Sequence, residues 1–402
     1  MKSVVLMFLI MTPSIHGSTM PERILLATQV YQESGNDSLS IREHERIVPV
    51  LRCIFDNLSL DMEVLEMPWV RAKRELQAGN VEGIFLTSEK NISLGVPTNP
   101  VYLEKWHAYT VKPPDALGET PRLGVIRGSD EHQWLLSQGM SRFMEAVSYS
   151  QLFKLLSADR VQAFIADSKS LALDNMTTPN NNRLYSTFVR YAAKTLTFSK
   201  QYVESNPKIV QRFNASITHC NTEVTTLSEV ERAKILEYVS TTVLPQFDNA
   251  IRENAFEALS ALSADQSEIL HADKLWRDAF TNGTRTAVAD EILANELSIS
   301  LRRIKKNNPV IGEIMLTNAD GVLLAASDYT SDYWQGDEIK VSALEELDFY
   351  LSDIKYDEST RKFIAHYSSH LKQSPLYGAP EKPVILIVGI LLEDLLIESF
   401  IF

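Results

Sequence analysis

The chain has 402 residues, with 39 Lys and Arg against 52 Asp and Glu, and its formal charge of −13 disfavours sequence-independent binding to nucleic acid or to an anionic membrane surface. At roughly 100–200 residues per domain the length accommodates two or three domains, and a composition of 45% hydrophobic and 23% charged residues is that of globular protein. Fifteen Gly, 16 Pro and 2 Cys exclude collagen-like and disulfide-scaffold classes.

Residues 1–17 open with Met1-Lys2, continue through a short apolar run at 4–11, and reach Pro13 and the small residues Ser14, Gly17 and Ser18. This is the pattern of a secretory signal peptide cleaved after Gly17. The run is too short for a permanent anchor, which needs about 20 apolar residues. Export to the periplasm leaves two readings for Cys53 and Cys220, a disulfide or two buried thiols. Residues 23–30 then read as an apolar strand, 31–40 as a polar loop, and 41–58 as a helix with Ile47, Leu51, Ile54 and Phe55 in phase. A strand at 62–67, a helix at 69–78 and a strand at 81–86 complete an α/β lobe with mostly parallel pairing. The strand 123–126 followed by Gly128-Ser129-Asp130 begins a second lobe, the Ser and Asp being good helix N-caps.

The texture changes at residue 248. Residues 248–402 carry 14 basic and 26 acidic side chains, net −12, whereas the first 247 are net −1, so two modules with different surfaces are expected. Residues 248–280, free of Pro and Gly, read as one helix and 287–306 as another. Strands at 311–317 and 322–327 flank the turn Asn318-Ala319-Asp320-Gly321, a hairpin signal. Further strands at 353–357, 361–370 and 384–390 give an antiparallel sheet fronted by a long helix. The apolar run at 383–392, ended by Glu393 and Asp394, reads as a buried strand and not as a membrane span.

Five segments in order, ILLATQVY, MPWVRAKRELQAGNVEGIF, LGVIRGSD, LLSADRVQAFIADSKS and TFSKQYVESNPKIVQRFNASI, resemble the bacterial family 3 solute-binding proteins, the type II periplasmic binding proteins. The strings IGEIMLTNADGVLLAASDYTSDYWQGDE, IKYDESTRKFIAHYSSHL and PVILIVGILLEDL resemble the Cache, or PDC, sensor domains. The two resemblances imply an α/β two-lobed periplasmic-binding-protein domain at 18–247 followed by an α+β Cache (PAS-like) domain at 248–402, with an antiparallel sheet and a long N-terminal helix.

The solute-receptor resemblance places a ligand outside the strand carboxyl ends, where loops and helix N-termini present backbone N–H groups. It nominates Tyr31 to stack on the ligand, or else to pack on its lobe. Thr87 and Ser88 match positions that bind a ligand carboxylate, or else cap the strand end. Trp69 is core or cleft edge, and Arg71 a cleft cation or a surface arginine. Arg127, Gly128, Ser129 and Asp130 form a strand-to-helix junction suited to an anionic group. Asp167 matches an acid that binds a ligand ammonium, or serves as a helix cap. The family's amino-acid receptors place an Arg after the Thr-Ser pair to clamp a carboxylate, whereas Lys90 and Asn91 stand here. Lysine lacks the fork geometry, so recognition of an α-carboxylate is in question.

In the Cache-like half, Tyr333, Trp334 and Asp337 are nominated as pocket wall and anchor, joined by Asp357, with a purely structural loop as the other reading. His366 and His370 fall on a strand, about 13 Å apart along the chain, too far to share an ion. No G-x-S-x-G, P-loop or H-E-x-x-H motif occurs. The sequence thus reads as an exported, periplasmic, non-enzymatic sensor without cofactor or metal. It would bind a small polar metabolite and signal through a separate membrane sensor kinase or chemoreceptor. The alternatives are a receptor serving an ABC permease, or an enzyme on the same fold with Asp167 as the sole cleft acid.

Overall fold

Two β-sheets organise the chain. The computed structural model describes residues 22–29, 39–87, 94–113, 116–117, 121–168, 184–220, 226–247, 251–252, 254–255, 257–258, 265–357, 360–371 and 383–397. The proposed export signal, Tyr31, Ser88, Lys90 and Asn91 lie outside the described residues.

The first sheet contains β1 (Glu22–Gln29), β2 (Leu60–Met67), β3 (Gly83–Thr87), β4 (Val96–Thr110), β5 (Leu123–Ile126), β6 (Phe143–Ala146), β7 (Ala163–Asp167) and β8 (Tyr185–Phe198), in the order β2-β1-β3-β8-β4-β7-β5-β6. β1 pairs in parallel with β2 and β3, and β5 in parallel with β6 and β7. Between these parallel units run the long antiparallel strands β4 and β8. The helix α1 (Leu39–Asn57) buries Ile47, Leu51, Ile54 and Phe55 completely, the spacing that its sequence phase predicts. The helix α2 (Trp69–Ala78) stops at Gly79, whose φ of 72° is the left-handed conformation of a C-terminal cap. Ser129 and Ser148 accept backbone N–H bonds to start α3 (Asp130–Ser137) and α4 (Tyr149–Ser157). After α5 (Lys200–Ser205) and α6 (Ile209–Cys220), Ser228 and Glu231 form a capping box on α7 (Glu229–Tyr238). A disulfide joins Cys53 of α1 to Cys220 of α6, with Cα atoms 5.8 Å apart.

In the acidic half, two helical expectations need correction. The stretch 248–280 is not one helix: Asp265 is extended, and its side chain caps a new helix, α8 (Gln266–Thr281), through a capping box with Glu268. Asp-x-x-Glu is a start signal that the apolar phase of the whole segment had masked. Likewise 287–306 divides at the extended Asn295 into α9 (Ala287–Ala294) and α10 (Glu296–Asn307), because the Asn295 side chain accepts the Ser298 N–H while donating to the Leu324 carbonyl.

The second sheet follows, with β9 (Ile311–Asn318), β10 (Leu323–Ala326), β11 (Phe349–Leu351), β12 (Lys355–Asp357), β13 (Lys362–Leu371) and β14 (Val384–Leu391), ordered β10-β9-β14-β13-β11 with β12 also on β13. Every pairing among them is antiparallel. Gly321, at φ 82°, turns the first hairpin. β14 is buried along its whole length, so the apolar run is a central strand. Among the described residues no helix is long and apolar enough to cross a membrane. Two further short helices are α11 (Ile339–Ser342) and α12 (Leu392–Leu396). One buried cluster runs through both sheets, from Tyr102, Phe188 and Tyr191 through Ile235 and Val239 to Leu301, Phe363 and Val388.

The disulfide closes a loop of sequence separation 167. The loss of denatured-chain entropy alone is then on the order of 4–5 kcal/mol. Replacing both cysteines by serine is expected to lower the urea unfolding free energy by several kcal/mol, and a change below 1 kcal/mol would exclude the bridge from the folded protein.

Candidate functional site

The first sheet narrows in its middle. β3 leaves β8 at the pair Thr87 and Thr195, and β7 joins β4 at the pair Asp167 and Trp106. Among the described residues, 102–105 of β4 and 191–194 of β8 therefore have only each other as strand partners, with the Lys105 carbonyl accepting the Ser168 N–H just beyond β7. The carboxyl ends of β3 and β7 face this crossing from opposite sides. They are separated along β4 by the run from Pro100 to Trp106, about 20 Å of extended chain. A crevice outside the carboxyl ends of parallel strands is where open α/β sheets bind ligands, and a two-stranded waist is where two lobes can twist against each other.

The waist is built from charged residues. On one face Glu104 and Lys194, both buried, pair at 2.9 Å, and the second Glu104 oxygen accepts the Trp106 indole N–H at 2.7 Å. Lys194 also bonds Asp130, the first residue of α3 in the second lobe. Beside them the Arg190 guanidinium lies 5.6 Å from the Trp106 ring and 5.8 Å from Trp134 of α3, a cation–π arrangement. A buried cation with two carboxylates is held by geometry, since removing one partner leaves an uncompensated charge. Glu131, the next residue of α3, is buried as well. Burial pushes its carboxyl up to about 7, while the Ser129 hydrogen bond, its own N–H and Lys194 pull the other way.

The open edges of the waist are closed by carboxylates. The Lys105 N–H donates to Asp167 at 2.8 Å and the Tyr191 N–H to Glu393 at 2.9 Å. Without them two strand-edge donors would be buried unpaired, each at a cost of 1–3 kcal/mol or so.

The nominated residues are distributed as follows. Thr87 is fully buried, its hydroxyl donating to the Thr195 carbonyl and lying 2.7 and 2.8 Å from the Thr195 and Thr197 hydroxyls. It fastens β3 to β8 beside Leu86, whose φ of 61° marks a bulge in that pairing. Ser129 is the N-cap of α3. Arg127 is exposed and paired with Glu145 at 2.5 Å, so its charge is engaged on the second-lobe surface. Asp167 holds the waist rather than standing free. Arg71 is exposed and pairs with Glu75 of its own helix. Trp69 packs at the edge of the first-lobe core with Lys73 over its ring at 5.4 Å. Thr87, Ser129 and Asp167 thus border the waist, whereas Arg71 pairs and Trp69 packs within the first lobe. Glu104, Lys194, Trp106, Arg190 and Trp134 were not singled out from the sequence. The available signal was a pair of unlike charges, Glu104-Lys105, inside the otherwise apolar string VYLEKWHAY.

In the second sheet the four nominated residues do not converge. Tyr333 is buried and stacked on Trp276, with centroids 5.7 Å apart. The buried Asp273 of α8 accepts the backbone N–H groups of Tyr333 and Trp334, and the Trp334 indole donates to the Asp320 carbonyl. This loop bridges to Val322 at the β10 edge. Asp357 lies on β12, beyond β13 on the far side of the sheet, and accepts from Thr360. Asp337 is exposed.

A different constellation occupies one sheet face. Pairing aligns Glu313, Gly389 and His366 in one row and Thr317, Ile385 and His370 in another. His366 Nε2 meets Glu313 at 2.6 Å across Gly389, where a Cβ would come within 2.8 Å of the Glu313 side chain. Burial alone would raise the Glu313 carboxyl, but the hydrogen bond and charge of His366 hold it below the usual range. The Thr317 hydroxyl and the Nδ1 atoms of His366 and His370 are buried without a hydrogen-bond partner among the described residues. Among the described residues no group of three His, Cys, Asp or Glu is arranged to hold a metal ion.

No family model and no curated protein matches the chain. Among solved structures, an ancestral arginine-binding protein bound to glutamine is 14% identical with a TM-score of 0.34, covering 50% of this chain and 92% of its own. A histidine kinase sensor domain with similarity to periplasmic binding proteins is 14% identical, TM-score 0.36, covering 50% and 90%. An ABC uptake transporter substrate-binding protein from Streptococcus pneumoniae, with bound histidine, is 13% identical, TM-score 0.34, covering 49% and 86%. The structural neighbours are therefore solute-binding proteins and a sensor domain, each aligned over half of this chain. At these scores the likeness carries no argument about ligand or partner, and the two-lobed description rests on strand order and pairing.

Glu131 gives the site a pH signature. Its folded pKa lies above the unfolded value, so the folded state holds the proton more tightly, and stability falls as pH rises from about 4.5 through about 7. Glu131→Gln is expected to match the parent in unfolding free energy near pH 4 and to exceed it at pH 8, on the order of 3 kcal/mol. A pH-independent difference would show that folding leaves the Glu131 carboxyl unshifted.

Proposed function

We propose that the chain is an exported, non-catalytic receptor for a small polar solute, bound in the crevice at the two-stranded waist. In this reading residues 1–17 are the export signal, 18–247 the two-lobed receptor and 248–402 a Cache-like sensor domain that passes the binding event to a separate membrane partner. The observation that carries it is the waist itself. The carboxyl ends of parallel strands from both lobes face it, and the buried Lys194 meets both the buried Glu104 of β4 and the part-exposed Asp130 of the second lobe there. Asp167 is engaged with the Lys105 N–H at the waist edge, which favours the receptor reading over an enzymatic one that has Asp167 as its acid.

The row of polar atoms on the second sheet supports a second ligand in that domain. A solute able to donate to His366 or His370 Nδ1, or to accept from Thr317, would satisfy groups that are otherwise buried unpaired. Such a molecule is polar and small, and its contacts would come from the sheet rather than from the Tyr333-Trp334 loop.

Isothermal titration of the full chain against amino acids, carboxylates and amines tests the receptor reading. A saturable one-to-one heat from one class is expected, weakened at least tenfold in Asp130→Ala, which removes the second-lobe carboxylate from the waist. Absence of heat and of any thermal shift across the whole panel would overturn it.

A further inference from the structure

The face of the waist opposite Glu104 and Lys194 is covered by α7 together with elements of the second half of the chain. Tyr191 of β8 makes three kinds of contact there. Its N–H donates to Glu393 of α12, its hydroxyl donates to Glu231 of α7 at 2.7 Å, and its ring lies edge-on to Phe363 of β13 with centroids 5.5 Å apart. Lys105, opposite Tyr191 on β4, reaches the other Glu231 oxygen at 2.5 Å and the Thr226 carbonyl at 3.0 Å. Its ammonium lies 5.9 Å from the centre of the Tyr191 ring. Glu231 is at the same time the closing residue of the α7 capping box, accepting the Ser228 N–H at 2.7 Å. The preceding residue, Leu227, donates its N–H to Asp353 beside the second sheet. Lys105, Tyr191 and Glu231 are all buried.

We infer that α7, α12 and β13 form a brace on the receptor hinge, so that the angle between the lobes and the seating of the second sheet change together. The inference rests on the receptor reading and adds the route by which closure reaches the second domain. One carboxylate ties the two strands of the waist to each other and to the start of α7. A change of twist between β4 and β8 moves Lys105 relative to Tyr191, and Glu231 cannot keep both bonds while α7 stays in place. The Tyr191 N–H moves with its strand and carries Glu393, hence the end of β14, with it. Buried networks of this kind switch between packed arrangements instead of deforming smoothly. The coupling is reciprocal: a perturbation of α12 or β13 must alter the preferred lobe angle as closure alters them.

Double electron–electron resonance on the full chain reads the lobe angle directly. Spin labels at Arg71→Cys in the first lobe and Val147→Cys in the second stand on exposed positions, and the native cysteines are bonded to each other. The parent is expected to give one narrow distance distribution. Tyr191→Phe, which keeps the ring, and Glu393→Gln, which keeps the volume, should each broaden it at least twofold. Conversely, Asp130→Ala, made on the cleft side, should speed amide exchange in 363–371 and 392–396 at least tenfold. Unchanged distributions in both brace variants, with parental thermal melting, would overturn the inference. Should Glu393→Gln fail to fold, Tyr191→Phe and Glu231→Gln carry the test. Solute heat in calorimetry with unchanged distributions would sink the brace alone, whereas altered distributions without heat from any solute would sink the receptor reading alone.

Discussion

A β-sheet reduced to two strands leaves two unpaired edges, and this protein buries both. That constraint organises everything around residues 102–105 and 191–194. Edge N–H groups inside a protein need acceptors, and Asp167 supplies one from the second lobe while Glu393 supplies the other from the far end of the chain. Three of the eight side chains there, Glu104, Lys105 and Lys194, are charged, and each has a partner of opposite charge. Glu104 and Lys194 answer to Asp130 on one side, and Lys105 answers to Glu231 on the other. The lobes are thereby held at a thin joint whose charged side chains are paired on both faces.

The parts legible in the sequence were those governed by local periodicity. The α1 face of Ile47, Leu51, Ile54 and Phe55, the bounds of α2, the strand-to-cap passage at 123–130 and the Asn318–Gly321 turn follow from spacing and turn chemistry alone. β4 and β8 were illegible for a physical reason. Pro97 and Pro100, three register shifts and paired charges at 104–105 break the alternation that marks a strand, and these irregularities are what let the two strands cross between lobes. The long helices expected at 248–280 and 287–306 were over-extended because apolar phase outlasted the caps at Asp265 and Asn295. For the site, sequence resemblance pointed to the strand ends, where Thr87, Ser129 and Asp167 do lie. It did not reach the residues that meet across the waist, since nothing local reveals that Lys194 and Asp130, 64 positions apart, are neighbours.

The acidity of the second half takes on a more specific shape. Of the net −13, −12 belongs to residues 248–402, yet the acids with defined roles there face inward or toward the first sheet. Asp273 pins the Tyr333-Trp334 loop, Glu313 pairs with His366, and Glu393 closes the hinge edge. Asp320, Asp337 and Glu345 with others remain outward, and such a surface favours partners of positive charge, with an attraction that salt screens over about 10 Å.

The central claim is that the waist is a sealed two-stranded joint whose edge N–H groups are held by Asp167 and Glu393. Residue-resolved hydrogen exchange of the intact protein measures it most directly. The amides of Lys105 and Tyr191 are predicted to exchange as slowly as those of β14, through global unfolding. Exchange of both amides at the rate of exposed loop residues, while β14 stays protected, would contradict the account.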